Sequence, residues 1–322
     1  MAERRIHKFN MMEITDFPFF ICEEKKRDNG EDSYVHALNE QAALVGVFDG
    51  CGGSGAAKYA PLENKTGAYL ASRAAAAAYL HWFEALSEGE EPDLAALKER
   101  VLRYLQQCES RCGQEESKLM GSISKKLPTT AAAALCRPSR GSVNIQLNWA
   151  GDSRVYLLDA DGLAQLTEDD LGGVDAMQNL TRDAALTNVI SLSKDFSLHS
   201  AQLSMGRPGL LFAATDGCFG YLSTPMEFEY LLLKTLQEAQ NAVSWEKALV
   251  QEIGEVAGDD YTISGLAMGF GSFENLKRQL SARTALVYRT YIHGLDNCSR
   301  EEKQKLWEHY RVHYQRLITG VE

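Results

Sequence analysis

Uncharged apolar runs, each ending in an Asp-Gly pair, punctuate this chain. Residues 42–48 read A-A-L-V-G-V-F and lead into Asp49, after which Gly50, Gly52, Gly53 and Gly55 follow closely. A run bounded by turn residues fits a strand buried on both faces, and periodicity alone leaves a buried helix segment open. Val45, Val47 and Phe48 favour the strand. Residues 209–217 repeat the pattern as G-L-L-F-A-A-T-D-G, ending in Asp216 and Gly217.

Between and around these runs the pattern predicts a mixed chain. Residues 14–50 form strands, with a polar turn at 23–32. Residues 69–86, with alanine at 74–78, predict a helix able to lie close on a sheet. A second helix is expected from Asp93 to about 119, opened by Pro92 and interrupted near Gly113. Strands return at 129–136 and 143–150, followed by a hairpin pairing 155–158 with 163–166. Residues 167–195, including T-E-D-D-L-G-G, show no sustained period and are the candidate flap. Strands at 197–203 and 210–214, helices at 225–238 and 244–256, and a strand at 262–269 complete the first part. From Phe273 the chain becomes charged and amphipathic, with Leu276, Leu280, Leu286, Val287, Leu306, Trp307 and Tyr310 as one apolar stripe. The division is thus a domain at 1–272 and a helical extension at 273–322.

Composition narrows the function. With 33 basic and 44 acidic residues the net charge is −11, which argues against a nucleic-acid or anionic-membrane partner. Seven cysteines without framework spacing imply free thiols and a reducing, cytoplasmic location. No secretory or membrane-spanning stretch is read in the sequence. Cys108 with Cys112 and His309 with His313 have helical spacing, and ordinary thiols and solvent-facing imidazoles account for them better than a metal.

Carboxylates supply the candidate chemistry. Besides Asp49 and Asp216, Glu31 and Asp32 precede one strand, Asp152 follows another, and Asp259 with Asp260 precede the last. One turn aspartate is punctuation; five acidic strand ends suit a hard cation such as magnesium or manganese, because converging oxygens would otherwise repel one another.

Taken in order, the motifs R-D-N-G-E-D-S (27–33), V-F-D-G-C-G-G (47–53), Thr129-Thr130, W-A-G-D-S-R-V-Y (149–156), A-A-T-D-G (213–217) and G-D-D-Y-T (258–262) resemble the metal-dependent protein phosphatases of type 2C. The resemblance covers the first 270 residues. It implies an α+β fold, a four-layer α/β/β/α sandwich of two mainly antiparallel sheets between helical layers. It also implies hydrolysis of phosphoserine or phosphothreonine on a protein substrate, by water activated at two manganese or magnesium ions. Asp49 would bridge the ions with help from the Gly50 carbonyl, Glu31 and Asp32 would serve one, and Asp216 and Asp259 the other. Arg27 would hold the substrate phosphate, and Asp152 a third, weaker ion.

Two positions depart from the family pattern. Cys51 stands where animal members have a proton-donating histidine, and Asp260 where many have asparagine. An aspartate-nucleophile phosphatase would need a second aspartate at position 51, and no cysteine lies in a C-x5-R arrangement. The alternative of another class is a catalytically weak or inactive relative serving as a binding or scaffold module, with the C-terminal helices as a docking or regulatory surface.

Overall fold

A computed structural model of the protein describes residues 10–87, 89, 91–113, 126–172, 177, 185–193 and 195–317. Its frame is a pair of five-stranded sheets in which every ladder is antiparallel. One sheet runs β1 (Thr15–Glu23), β12 (Tyr261–Met268), β11 (Gly209–Ala214), β8 (Arg154–Asp159), β9 (Gly162–Gln165). The other runs β10 (His199–Met205), β7 (Ser142–Ala150), β6 (Ala131–Ser139), β3 (Ala43–Phe48), β2 (Ser33–Leu38).

Both uncharged runs are central strands, and alternation explains why they carry no polar face. In β3, Ala43, Val45 and Val47 pack between the sheets, while Leu44 and Phe48 pack outward against α2 (Gly67–Glu84) and α3 (Leu94–Cys112). In β11, Leu211 and Ala213 face the inter-sheet layer, while Leu210, Phe212 and Ala214 face α4 (Pro225–Glu238), α5 (Ala242–Val256), α6 (Phe273–Val287) and α7 (Arg300–Tyr314). A strand covered on both sides has no solvent face to mark with charge. The result is the expected four-layer α/β/β/α sandwich. In α2, Ala71, Ala75 and Ala78 are fully buried, so the helix backbone lies close on the second sheet.

Element boundaries shift in places. Strand β6 begins two residues late, leaving Thr129 and Thr130 at the sandwich rim, and β10 runs from His199 instead of Ser197. Helix α3 ends at Cys112, where Gly113 adopts φ 72°; the expected continuation to 119, like the middle of the 167–195 flap, lies outside the described residues. Among the described residues, no helix is long and apolar enough to cross a membrane.

Helices α6 and α7 belong to the same hydrophobic cluster as the first sheet: Leu276, Leu280, Trp307 and Tyr310 are fully buried there. Leu286 is the exception to the expected stripe, lying 39% exposed. A buried ion pair ties the layer together. Arg283 donates from Nε and Nη2 to the two Glu229 carboxylate oxygens at 2.7 and 2.9 Å, and Tyr310 Oη donates to the same carboxylate at 2.7 Å. Removing one member leaves an uncompensated buried charge, so Arg283→Met is expected to lower unfolding free energy by about 3–5 kcal/mol in urea titration. Leu286→Ala, at the exposed position, is expected to stay within about 0.5 kcal/mol.

Candidate active site

Strand register brings the acidic ends to one rim. Ser33 pairs with Phe48 and Ala131 with Ala150 in the second sheet, and Ala214 pairs with both Arg154 and Ile263 in the first. Glu31, Asp32, Asp49, Asp152, Asp216 and Asp259 lie just beyond those positions in sequence, so all six leave the sandwich at the same end.

Each loop is braced by a neighbour. Thr129 Oγ1 and Thr130 N both donate to the Asp49 carbonyl at 2.8 Å, while Thr130 Oγ1 accepts from Asp49 N at 3.2 Å and contacts Ser153 Oγ at 2.7 Å. The threonine pair therefore links the Asp49 loop to the Asp152 turn. Asp216 opens a short 3-10 turn after Thr215, whose Oγ1 donates to the Asp32 carboxylate at 2.8 Å. Two glycines permit this crowding. A Cβ at Gly50 would lie 2.5 Å from the Ala68 carbonyl oxygen, and one at Gly217 would lie 1.9 Å from the Asp260 carbonyl oxygen. Only a residue without a side chain allows backbones this close.

The site is electrostatically loaded. Burial, then Asp216, Asp32, Asp152 and Asp259, push the Asp49 carboxyl well above its ordinary range. Burial raises Asp32 to about 8 against the opposing Thr215 hydrogen bond, and burial with Asp216 raises Asp152 to about 8. Asp216 is raised, chiefly by burial, with the Asp49 carboxyl group beside it opposing the rise and Asp259 adding to it. Glu31 is raised by burial and turned toward the Thr66 hydroxyl. Asp259 is exposed and accepts from Asp260 N at 2.9 Å. Arg27 points into solvent, 96% exposed at the side chain and 3.9 Å from Asp28. Cys51 Sγ stands 4.0 Å from the Asp49 carbonyl oxygen, within its own loop.

Among the described residues, no three carboxylate, imidazole or thiol groups converge at ligating distance, so the side chains form an electrostatic cluster and not a finished coordination sphere. Its donor set nevertheless fits a hard divalent cation: oxygen ligands only, buried at Asp32 and partly buried at Asp49, Asp152 and Asp216, and raised in proton affinity by one another.

The roles of several contributors could not be read from the sequence, which marked Asp260 as an acidic strand end but not as a brace. Asp260 accepts from the backbone of Lys25 and of Glu31, each at 2.7 Å, and so straps the Glu31 loop to the start of β12. Thr66, the N-cap of α2, donates to Glu31, and Ser72 Oγ donates to the Glu31 carbonyl at 2.5 Å. Only the capping pattern before α2 hints at Thr66.

A carboxyl group with a raised folded-state pKa holds its proton more tightly in the native than in the unfolded chain. Its stabilising contribution is therefore complete below about pH 4 and lost as pH rises through the folded value. The chelator-treated protein is expected to lose thermal stability between about pH 5 and pH 8, through the groups raised to about 8. Asp152→Asn is expected to melt a few degrees above wild type at pH 8 and together with it at pH 5, by calorimetry in chelator. Equal loss in both proteins would show that Asp152 does not carry the effect.

Neither known protein-family models nor curated protein sequences match the chain. Solved structures do. The serine/threonine phosphatase Stp1 from Staphylococcus aureus matches with TM-score 0.58 at 18% identity, covering 78% of this chain and 94% of that one. The PPM Ser-Thr phosphatase MsPP from Mycobacterium smegmatis, solved with cacodylate, matches with TM-score 0.54 at 14% identity, covering 80% and 100%. The catalytic domain of the serine threonine protein phosphatase PstP, solved with two manganese ions, matches with TM-score 0.51 at 18% identity, covering 78% and 97%. At these identities the likeness is one of architecture: the chain has the fold of the PPM serine/threonine phosphatases.

Proposed function

We propose that the protein is a metal-dependent phosphatase of phosphoserine and phosphothreonine in proteins, working with two manganese or magnesium ions and a third, weaker ion beside Asp152. The observation that carries this reading is the gathering of Asp32, Asp49, Asp152 and Asp216, within electrostatic reach of Asp259, at one rim of a PPM-type sandwich. PstP, with the same fold, was solved with two manganese ions.

Divalent cations, when bound, supply Lewis-acid polarisation of the phosphoryl oxygens and acidify water. The chain's part is to hold them and the substrate. Asp49 and Asp216 would hold the ions as carboxylates, with Asp259, Asp32, Glu31 and the Gly50 carbonyl completing the set. Arg27 sits on an exposed loop four residues before Glu31, where its guanidinium has the freedom to close on an arriving phosphate in a bidentate grip. Asp260 keeps that loop in place through Glu31 N. Cys51, packed within the Asp49 loop, takes no part as nucleophile, and direct attack by water requires none.

Hydrolysis of para-nitrophenyl phosphate and of a phosphothreonine peptide is expected with manganese or magnesium and not with chelator. Asp49→Ala and Asp216→Ala are each expected to lower kcat/KM by about a thousandfold or more, and Arg27→Ala to raise KM about tenfold, equivalent to about 1.4 kcal/mol. A folded wild-type protein that hydrolyses neither substrate with either ion would overturn the reading in favour of a binding module.

A further inference from the structure

The arginine of the G-D-S-R motif is wired to the C-terminal helix. Arg154, two residues after Asp152, is fully buried, and its guanidinium forms a bidentate pair with Asp169: Nε to Oδ1 at 2.9 Å and Nη2 to Oδ2 at 2.6 Å. Its remaining edge donates from Nη1 to Tyr156 Oη and Tyr314 Oη, both at 3.2 Å, and the two hydroxyls also stand 3.2 Å apart. Phe219, in the turn opened by Asp216, lies 4.2 Å beneath the guanidinium carbon.

The residue after Asp169 completes the connection. Asp170 N donates to the Gly151 carbonyl at 2.9 Å, and Asp170 Oδ2 accepts from Gly151 N at 2.9 Å. Asn188 Nδ2 at 2.7 Å and the His199 ring at 2.8 Å hold the same carboxylate from the other side. Gly151, the residue immediately before Asp152, is therefore gripped at both its N–H and its C=O. Tyr314 belongs to α7, which is itself moored by Tyr310 on Glu229 and by Arg316, whose Nη2 donates to Asp159 at 2.9 Å and to the Gly162 carbonyl at 3.0 Å.

We propose that α7 is a positioning element of the acidic centre: through Tyr314 it orients the Arg154 guanidinium, and through Arg154, Asp169 and Asp170 it fixes the turn that carries Asp152. The physical basis is the rigidity of the fork. A buried guanidinium must place all its N–H groups on acceptors, and its planar geometry suits two partners only in one orientation. Removing the Tyr314 acceptor frees the group to rotate, and the bidentate hold on Asp169 loosens with it. The catalytic consequence rests on the phosphatase reading above, whereas the mechanical coupling does not.

The test uses the full-length protein and Tyr314→Phe, which removes one hydroxyl and keeps the ring in the core. Melting close to wild type is expected, with amide hydrogen exchange accelerated in peptides covering 150–153 and 166–171. Manganese affinity by calorimetry should weaken about fivefold, the scale of one hydrogen bond, and kcat on para-nitrophenyl phosphate should fall severalfold with KM little changed. Coupling is reciprocal, so manganese added to the wild type should slow exchange in 307–317, and Asp169→Asn, far from α7 in sequence, should speed it there. A folded Tyr314→Phe protein with wild-type exchange over 150–171 would overturn the proposal. Should Tyr314→Phe fail to fold, unchanged exchange at 307–317 in Asp169→Asn would overturn it instead. A wild type that binds manganese but has no hydrolytic activity defeats the phosphatase reading alone, and the exchange comparison still decides the coupling.

Discussion

Carboxylates that repel one another are held at one rim because the sandwich leaves them nowhere else to go. Asp49 and Asp216 terminate strands that are buried on both faces, and a strand in that position cannot slide by one residue without turning its whole apolar set around. The registers of β3 and β11 are thereby locked by hydrophobic packing, and the charge at their ends is carried along. Burial then raises the proton affinity of each carboxyl group, and the neighbours raise it further. The apolar core thus drives the charges together against their repulsion, producing a site with a strong demand for positive charge.

What keeps the rim from splaying is a second tier of polar contacts between loops. Thr129 and Thr130 hold the Asp49 carbonyl, Asp260 straps the Glu31 loop, and Asp170 grips Gly151. Each of these contacts ends on a backbone group, so the loops are fixed by their main chain, while Thr215 and Thr66 hold the carboxylates of Asp32 and Glu31. The glycines at positions 50 and 217 serve the same end, since they let main chains touch where any Cβ would separate them.

The outer layer over the first sheet is built on a different principle from the one over the second. Helices α2 and α3 pack through alanines and aliphatic side chains together with Tyr79, Trp82 and Phe83, an apolar interface in which the alanines let the backbone come close. Helices α6 and α7 bring large aromatics and two buried guanidiniums, Arg283 in α6 itself and Arg154 in the strand beneath. Satisfied ion pairs in a core contribute orientation more than net stability. A helix fixed by such pairs has one docked position, and that suits a layer whose hydroxyl at Tyr314 reaches to within one side chain of the acidic centre.

The local sequence determined much of this protein. Uncharged runs marked the doubly buried strands, alternation and turn residues marked the hairpin of β8 and β9, and the recurrence of aspartate at strand ends marked the site, because each of these signals depends on a residue's immediate neighbours. Tertiary structure alone decided the rest. Leu286 falls on the exposed side of α6 although it continues the apolar stripe, since the helix turns only part of that arc toward the sheet. Asp169 and Asp170, read as part of a loosely patterned flap, are clamps on Arg154 and Gly151. The partners Arg154 and Tyr314 lie 160 positions apart, and Asp260 meets Glu31 across 229. No periodicity spans such distances: what joins these residues is the stacking of two sheets and a closing helix, a property of the folded chain and of no single stretch of it.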